Sequence, residues 1–239
     1  MTKTKYTAII QARMLSQRLR GKSLMAVCGT PLLGWAIHRI KQMDFIDEII
    51  VATSDQTADD PIAFYSEGNN VKVVRGDNQD VLSRFIEASK DLSDEDVLLR
   101  FTADNPVYDP ERTLAAKTTF DNSKAEYGHI DGLSHLLPEF IQVTTLRDAA
   151  SRTSLSYDRE HVTAFIRNNP ERYRVVTMPA DYCNLIPKHN KKFTIDRQDQ
   201  LEDFEAMISE VAEEQNPVNV SVDQCYLWLN KINKNVPAK

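Results

Sequence analysis

The residues best suited to chemistry crowd the N-terminus. Arg13, Arg18, Arg20 and Lys22 fall within ten residues, with the hydroxyl of Ser16 and the hinge of Gly21 among them. No Asp or Glu occurs from Met1 to Met43, where eight Lys or Arg do. The whole chain carries 29 bases against 35 acids, which leaves 21 against 35 in the remainder. A basic loop on an acidic protein draws a small polyanion. Arg offers phosphate a fork of donors, Lys a compact charge, and loop N–H groups supply the rest. A merely solvated basic loop has the same composition, so charge alone leaves both readings open.

Two carboxylates complete the set. Asp104, in Arg100-Phe101-Thr102-Ala103-Asp104-Asn105-Pro106, follows the apolar run Val97 to Phe101. A carboxylate just past a buried parallel strand faces the ligand crevice, although capping the turn before Pro106 is its plainer use. Asp196 ends the short segment Lys192-Phe193-Thr194-Ile195. It could cap the next helix, a task for which Asp199 competes. The His and Cys residues are too scattered for zinc.

The elements that must position these groups alternate. Strands are expected at Tyr6 to Ile10, Glu48 to Thr53, Val71 to Val74 and Val97 to Phe101. Helices are expected from Thr30-Pro31 to about Met43, from Asp60, from Asn78 or Asp80 to Leu92, and from Asp109-Pro110. That rhythm gives a mainly parallel sheet covered on both faces. From Ala125 to Pro138 the rhythm breaks. Strands follow at Phe140 to Thr144, Tyr173 to Met178 and Phe193 to Ile195, with a loop from Asp181 to Asn190. Helices are expected at Asp158 to Asn168, Asp199 to Glu214 and Val222 to Ile232.

A length of 239 residues allows one sizeable core. The expectation is a single domain, 1–239, with 125–190 as an acceptor-binding or dimerisation lobe. No apolar run spans a membrane, no signal peptide opens the chain, and three spaced Cys fit free thiols in a cytoplasmic protein. A net charge of −6 argues against nonspecific nucleic-acid binding. Gly21-Lys22-Ser23 is not a P-loop, because Ser16 stands where the first Gly is required.

The spacing A-R-x-x-S-x-R-L-x-G-K after a strand ending in Ile9-Ile10-Gln11 resembles the N-terminal signature of sugar-acid cytidylyltransferases, nearest the spore-coat polysaccharide branch. The ketodeoxyoctonate and acylneuraminate enzymes are more distant. Many members carry Pro where this chain has Arg20. Three further stretches are similar to family segments: R-x-T-x-D-x-P at Arg100; Val74-Arg75-Gly76 with Asp80-Val81-Leu82-Ser83-Arg84-Phe85; and Tyr157-Asp158-Arg159-Glu160-His161-Val162-Thr163. Thr194-Ile195-Asp196 matches the C-terminal T-V-D element, with Lys192-Phe193 in place of Arg-Trp.

The resemblance implies a three-layer α/β nucleotidyltransferase with a mainly parallel sheet and a smaller inserted lid or dimer arm. It implies transfer of CMP from CTP to an anionic acceptor, a sugar acid or a phosphorylated or phosphonate compound, by a cytoplasmic homodimer. Mg²⁺ would sit on Asp104 and Asp196, with Lys22 at the transferring phosphoryl. Gln11, Ala12, Arg13, Ser16, Arg18, Gly21, Arg84 and Thr102 would hold the nucleotide. Tyr157, Arg159, Glu160, His161 and Lys192 would hold the acceptor. Two alternatives remain open at this point: a nucleotide-sugar glycosyltransferase, for which Asp94-Glu95-Asp96 has the D-x-D spacing, and a non-catalytic nucleotide-binding protein.

An ungapped match sets Leu137-Pro138-Glu139-Phe140-Ile141-Gln142 against the branch's R-G-L-D-V-E. It replaces the Asp by Phe140 and the Glu by Gln142. The expectation is an anionic acceptor unlike that of the relatives, held by Arg159, His161 or Lys192. Otherwise Phe140 simply packs beneath the sheet.

Overall fold

The computed structural model describes residues 3–132, 135–178 and 193–234. The expected loop at 181–190 and Lys192 lie outside them. A seven-stranded sheet runs in the order β5-β4-β1-β6-β8-β7-β9. Its members are β1 (Tyr6–Gln11), β4 (Glu48–Ser54), β5 (Lys72–Gly76), β6 (Val97–Thr102), β7 (Tyr127–His129), β8 (Glu139–Gln142) and β9 (Val175–Thr177). β1 is central and parallel to both neighbours, with Ile9 opposite Ile50 and Arg100. β8 is antiparallel to β6 and β7, and β9 is parallel to β7.

Strand side chains alternate between faces, and each face has its own core. Ala8, Ile10, Leu99 and Phe140 pack with α1 (Leu32–Lys41), α4 (Pro110–Ser123), α8 (Gln198–Val211) and α9 (Val222–Lys234). Ile9, Ile50, Leu98 and Ile141 pack with α3 (Val81–Ala88), α5 (Val143–Arg152) and α7 (Ala164–Asn168). Helices on both sides of one sheet give the three expected layers. Among the described residues no helix is long and apolar enough to cross a membrane.

Caps fix the entry of two helices. Asp80 accepts from the Ser83 N–H at 2.9 Å, and Asp109 from that of Arg112 at 2.9 Å, with Pro110 in the first turn. α2 (Asp60–Gly68) starts at the expected Asp60-Pro61. α1 departs from expectation. Thr30-Pro31 forms β3, paired with β2 (Ala26–Val27), and the helix starts at Leu32. The two residues between these strands, Cys28 and Gly29, have φ 49° and 78°, as a tight primed hairpin turn demands.

The second half differs more. Val143-Thr144 opens α5 instead of extending β8, because their N–H groups bond the carbonyls of Asp96 and Asp94 at 2.9 and 3.2 Å. β-Branched residues suggest a strand, and only this tertiary pairing turns them into a helix start. The helix expected from Asp158 to Asn168 is two: α6 (Ser156–His161) and α7, broken at Val162, whose φ is 58°. β7 lies inside the stretch read as irregular. Its Gly128 is needed because a Cβ there would stand 2.8 Å from the Phe120 ring. Residues 193–195 carry no assigned strand.

Phe140 is fully buried and stacks on Phe120 with centroids 5.4 Å apart. It packs beneath the sheet, where it cannot touch an acceptor, while its neighbour Glu139 faces the other way. Burying an ionised carboxylate in an apolar core is prohibitive. Phe140→Asp is therefore expected to unfold the protein or cost at least about 4 kcal/mol in denaturant titration. A folded variant with altered acceptor use alone would contradict this packing.

Candidate active site

The basic loop leaves the carboxyl end of β1 and folds back on itself. The Met14 carbonyl accepts from Ser16 N–H at 3.0 Å and Gly21 N–H at 2.7 Å, and the Ser23 hydroxyl donates to the Arg13 carbonyl. Gly21, at φ 75°, makes the reversal that leads into a 3₁₀ turn, Lys22–Leu24. Asp59 anchors the loop to the end of β4 by accepting from Met14 N–H at 2.7 Å and from the Ser54 N–H and hydroxyl.

The ammonium of Lys22 reaches Asp104 Oδ2 at 2.6 Å and Asp196 Oδ1 at 2.8 Å, and Arg18 reaches Asp196 Oδ2 at 2.8 Å. Three segments distant in sequence thus converge on one point. Backbone bonding holds the two carboxylates in place. Ile195 N–H donates to the Asp104 carbonyl at 2.9 Å, and the Gln200 side chain accepts from Asp196 N–H at 2.8 Å. Asn105 accepts from Thr194 Oγ1 at 2.8 Å and donates to Thr102 Oγ1 at 2.8 Å. Asp199 pairs with Arg197 instead of capping α8.

These groups line a cleft of about 360 Å³, together with Gln11, Ala12, Arg13, Ser16, Arg84 and Thr102. Glu160 and His161 reach it from α6; Glu160 meets Arg13 at 3.3 Å, and His161 leans on Tyr157 with centroids 4.4 Å apart. Gly21, Tyr157 and Arg159 do not line the cleft. Arg159 instead clamps Asp80 at 2.6 and 2.8 Å and donates to the Ala150 carbonyl, so it ties α6 to α3. Its expected contact with an acceptor is replaced by this brace.

A second cavity of about 230 Å³ shares Thr102 and Asp104 with the cleft and continues to Arg100, Thr194 and Glu139. Glu139 is buried. It accepts from Arg100 at 2.6 Å, Tyr127 at 2.5 Å and Thr163 at 3.0 Å, with Arg167 at 3.6 Å. Arg100 also donates to the Gln11 side chain at 3.1 Å. The motif reading gives Arg100 no role of its own, and the ungapped match sets Glu139 at an apolar family position beside Phe140, on the opposite face of the strand. Burial works to raise the Glu139 pKa, but the charge of Arg100 and the hydrogen bonds of Tyr127 and Arg100 hold it below the ordinary value.

Asp94-Glu95-Asp96 lies before β6, at the end remote from the cleft. Asp96 is buried there and accepts from the N–H groups of Lys5 and Ser93 at 2.8 Å each. The D-x-D spacing is thus structural, which removes the feature that favoured a glycosyltransferase.

A family model described as Cytidylyltransferase matches residues 7–224. The chain belongs to the cytidylyltransferase family. It is 31% identical over 230 residues to the spore coat polysaccharide biosynthesis protein SpsF of Bacillus subtilis, covering 93% of each chain. The solved structure of a cytidylyltransferase from Leptospira borgpetersenii superposes with a TM-score of 0.83 at 25% identity, over 98% of this chain and 95% of that one. A CMP:2-keto-3-deoxy-manno-octonic acid synthetase solved with CTP shares the fold at a TM-score of 0.62 and 16% identity, over 87% and 99% of the chains. This cytidylyltransferase is accordingly a CTP-dependent nucleotidyltransferase.

Because the Glu139 pKa is depressed in the folded state, its contribution to stability is complete above the unfolded value near 4.5. That contribution disappears as pH falls through the lower folded value. Urea midpoints of the wild type should therefore drop on acidification below about pH 4.5 more steeply than those of Glu139→Gln. Glu139→Ala, which strands the Arg100 charge, should cost about 3–5 kcal/mol at neutral pH.

Proposed function

We propose that the enzyme transfers CMP from CTP to a sugar acid and releases pyrophosphate. The observation that carries this reading is the convergence of Lys22, Asp104 and Asp196 in the larger cleft, with Asp104 also lining the second cavity. The larger cleft, with its arginines and Ser16, suits the nucleotide. The smaller one suits the acceptor, bringing its hydroxyl beside Asp104. The attacking oxygen bonds to the α-phosphorus as the bond from that phosphorus to the bridging oxygen breaks. The hydroxyl proton leaves with solvent or pyrophosphate. Positioning and charge stabilisation dominate such a transfer.

The donor set fits a divalent cation. Both carboxylates already face one cationic atom, and two hard oxygens plus phosphate oxygens and water satisfy Mg²⁺. When bound, Mg²⁺ supplies Lewis acidity and a template for the α-phosphate. Lys22 then neutralises the transferring phosphoryl and the departing pyrophosphate, while Arg18 and Arg13 grip the triphosphate. The acceptor carboxylate falls to donors that line the second cavity, Arg100 and Thr194.

Pyrophosphate release with CTP and a panel of sugar acids tests the reaction. Activity with at least one sugar acid, and none with neutral sugars, is the expected outcome; silence across the panel would remove the sugar-acid reading. Asp104→Asn and Asp196→Asn should each lower turnover by at least about 100-fold with the fold retained. Lys22→Ala should depress kcat more than it raises KM for CTP, as expected of a charge acting in the transition state. A change in KM alone would make Lys22 a binding residue.

A further inference from the structure

Arg84 is the unusual group in the cleft. It sits on the first turns of α3, is 2% exposed, and lines the cleft. Its Nε and Nη1 are buried without a hydrogen-bond partner among the described residues. Burial lowers its pKa, Asp59 and Asp77 and Asp80 pull it back up, and Arg13 across the cleft lowers it further. Those three carboxylates attract it through their charge without a hydrogen bond to it, and each holds other donors. Asp59 holds Met14 and Ser54, Asp77 holds the N–H groups of Gln79 and Asp80, and Asp80 holds Ser83 and Arg159. The stem of Arg84 lies against Gly76, where a Cβ would approach its Cγ to 3.1 Å. The fold makes room for a buried guanidinium, and the described residues give its Nε and Nη1 no acceptor. That costs stability unless a ligand completes it.

The position of Arg84 tells which part of a nucleotide it meets. α3 packs against β5, β4 and β1, on the far side of the central strand from β6 and β8, where Asp104 and Glu139 stand. A nucleotide with its phosphates on Lys22 and Arg18 and its α-phosphorus at Asp104 has its base left for the α3 side. Cytosine presents two neighbouring acceptors, O2 and N3. Uracil presents O2 beside an N3–H donor. A guanidinium has donors only, in a fixed fork.

We propose that Arg84 reads the O2/N3 edge of cytosine and is the residue that selects CTP over UTP. The inference rests on the cytidylyl-transfer reading and names how that site recognises its nucleotide. The competing role is a further clamp on phosphate. It separates cleanly, because CMP and UMP carry the same phosphate and differ only at the base. The preference of an arginine fork for paired acceptors also makes guanine, with O6 and N7, the proper control.

The test is titration calorimetry of CMP, UMP and GMP on the full chain, wild type, Arg84→Lys and Arg84→Met, with thermal unfolding of each ligand-free protein. The wild type should bind CMP at least about 10-fold more tightly than UMP or GMP, the scale of one good bidentate pair. Arg84→Lys keeps the charge but loses the fork, so the ratio of CMP to UMP affinity should fall towards one. Arg84→Met should lose CMP binding yet unfold at the same or a higher temperature, since it removes a buried charge with no protein partner. A lower melting temperature for Arg84→Met would mark a structural role and overturn the proposal. Equal losses of CMP and UMP in both variants, or GMP preferred by the wild type, would overturn it while leaving nucleotide binding intact. A wild type that binds none of the three would overturn the functional reading as well.

Discussion

The ammonium of Lys22 lies between two carboxylates that are 82 and 174 residues away from it in sequence. Without a cation, Asp104 and Asp196 would repel across a few ångströms in a partly desolvated cleft. Every neighbouring feature serves this convergence. The loop closes on Met14 and Gly21 so that Lys22 faces inward. Ile195 bonds the Asp104 carbonyl so that Asp196 lies alongside. Lys22 marks where positive charge is required, and it supplies that charge as a point on a flexible stem rather than as a fork.

A second constraint runs through the sheet. Glu139 is buried on the inner face of β8 and collects donors from β6, β7 and the turn before α7. A buried carboxylate keeps its charge only when such partners surround it. The network fixes Arg100, which in turn orients Gln11 at the mouth of the cleft. It also holds Thr163, next to the strained Val162 that ends the helix carrying Glu160 and His161. Residues with no evident role in the chemistry thus set the geometry of those that line both cavities.

Much of this was legible along the chain. The run Tyr6 to Ile10, the alternation to Asp109 and the caps at Asp80 and Asp109 are local signals, and they placed the first four strands of the main sheet within two residues. The second half was poorly legible because its elements are short and decided by remote partners. Val143-Thr144 has strand chemistry and starts a helix. Tyr127–His129 sits among turn residues and is a strand. Phe140 and Glu139 are neighbours in one strand, so which of them faces the core and which the cavity depends on a register that short local signals do not fix.

By itself, then, the sequence determined the charge segregation and the α/β alternation, for which residue type and local period suffice, while Lys22, Asp104 and Asp196 stand out in it only through their resemblance to family motifs. Only the tertiary structure decided that Arg159 braces two helices, that Glu139 and not Phe140 lines the second cavity, and that Nε and Nη1 of Arg84 are buried without a hydrogen-bond partner among the described residues. Each depends on which oxygens lie within hydrogen-bond reach, and that is a property of chain segments brought together from afar, not of their spacing in the sequence.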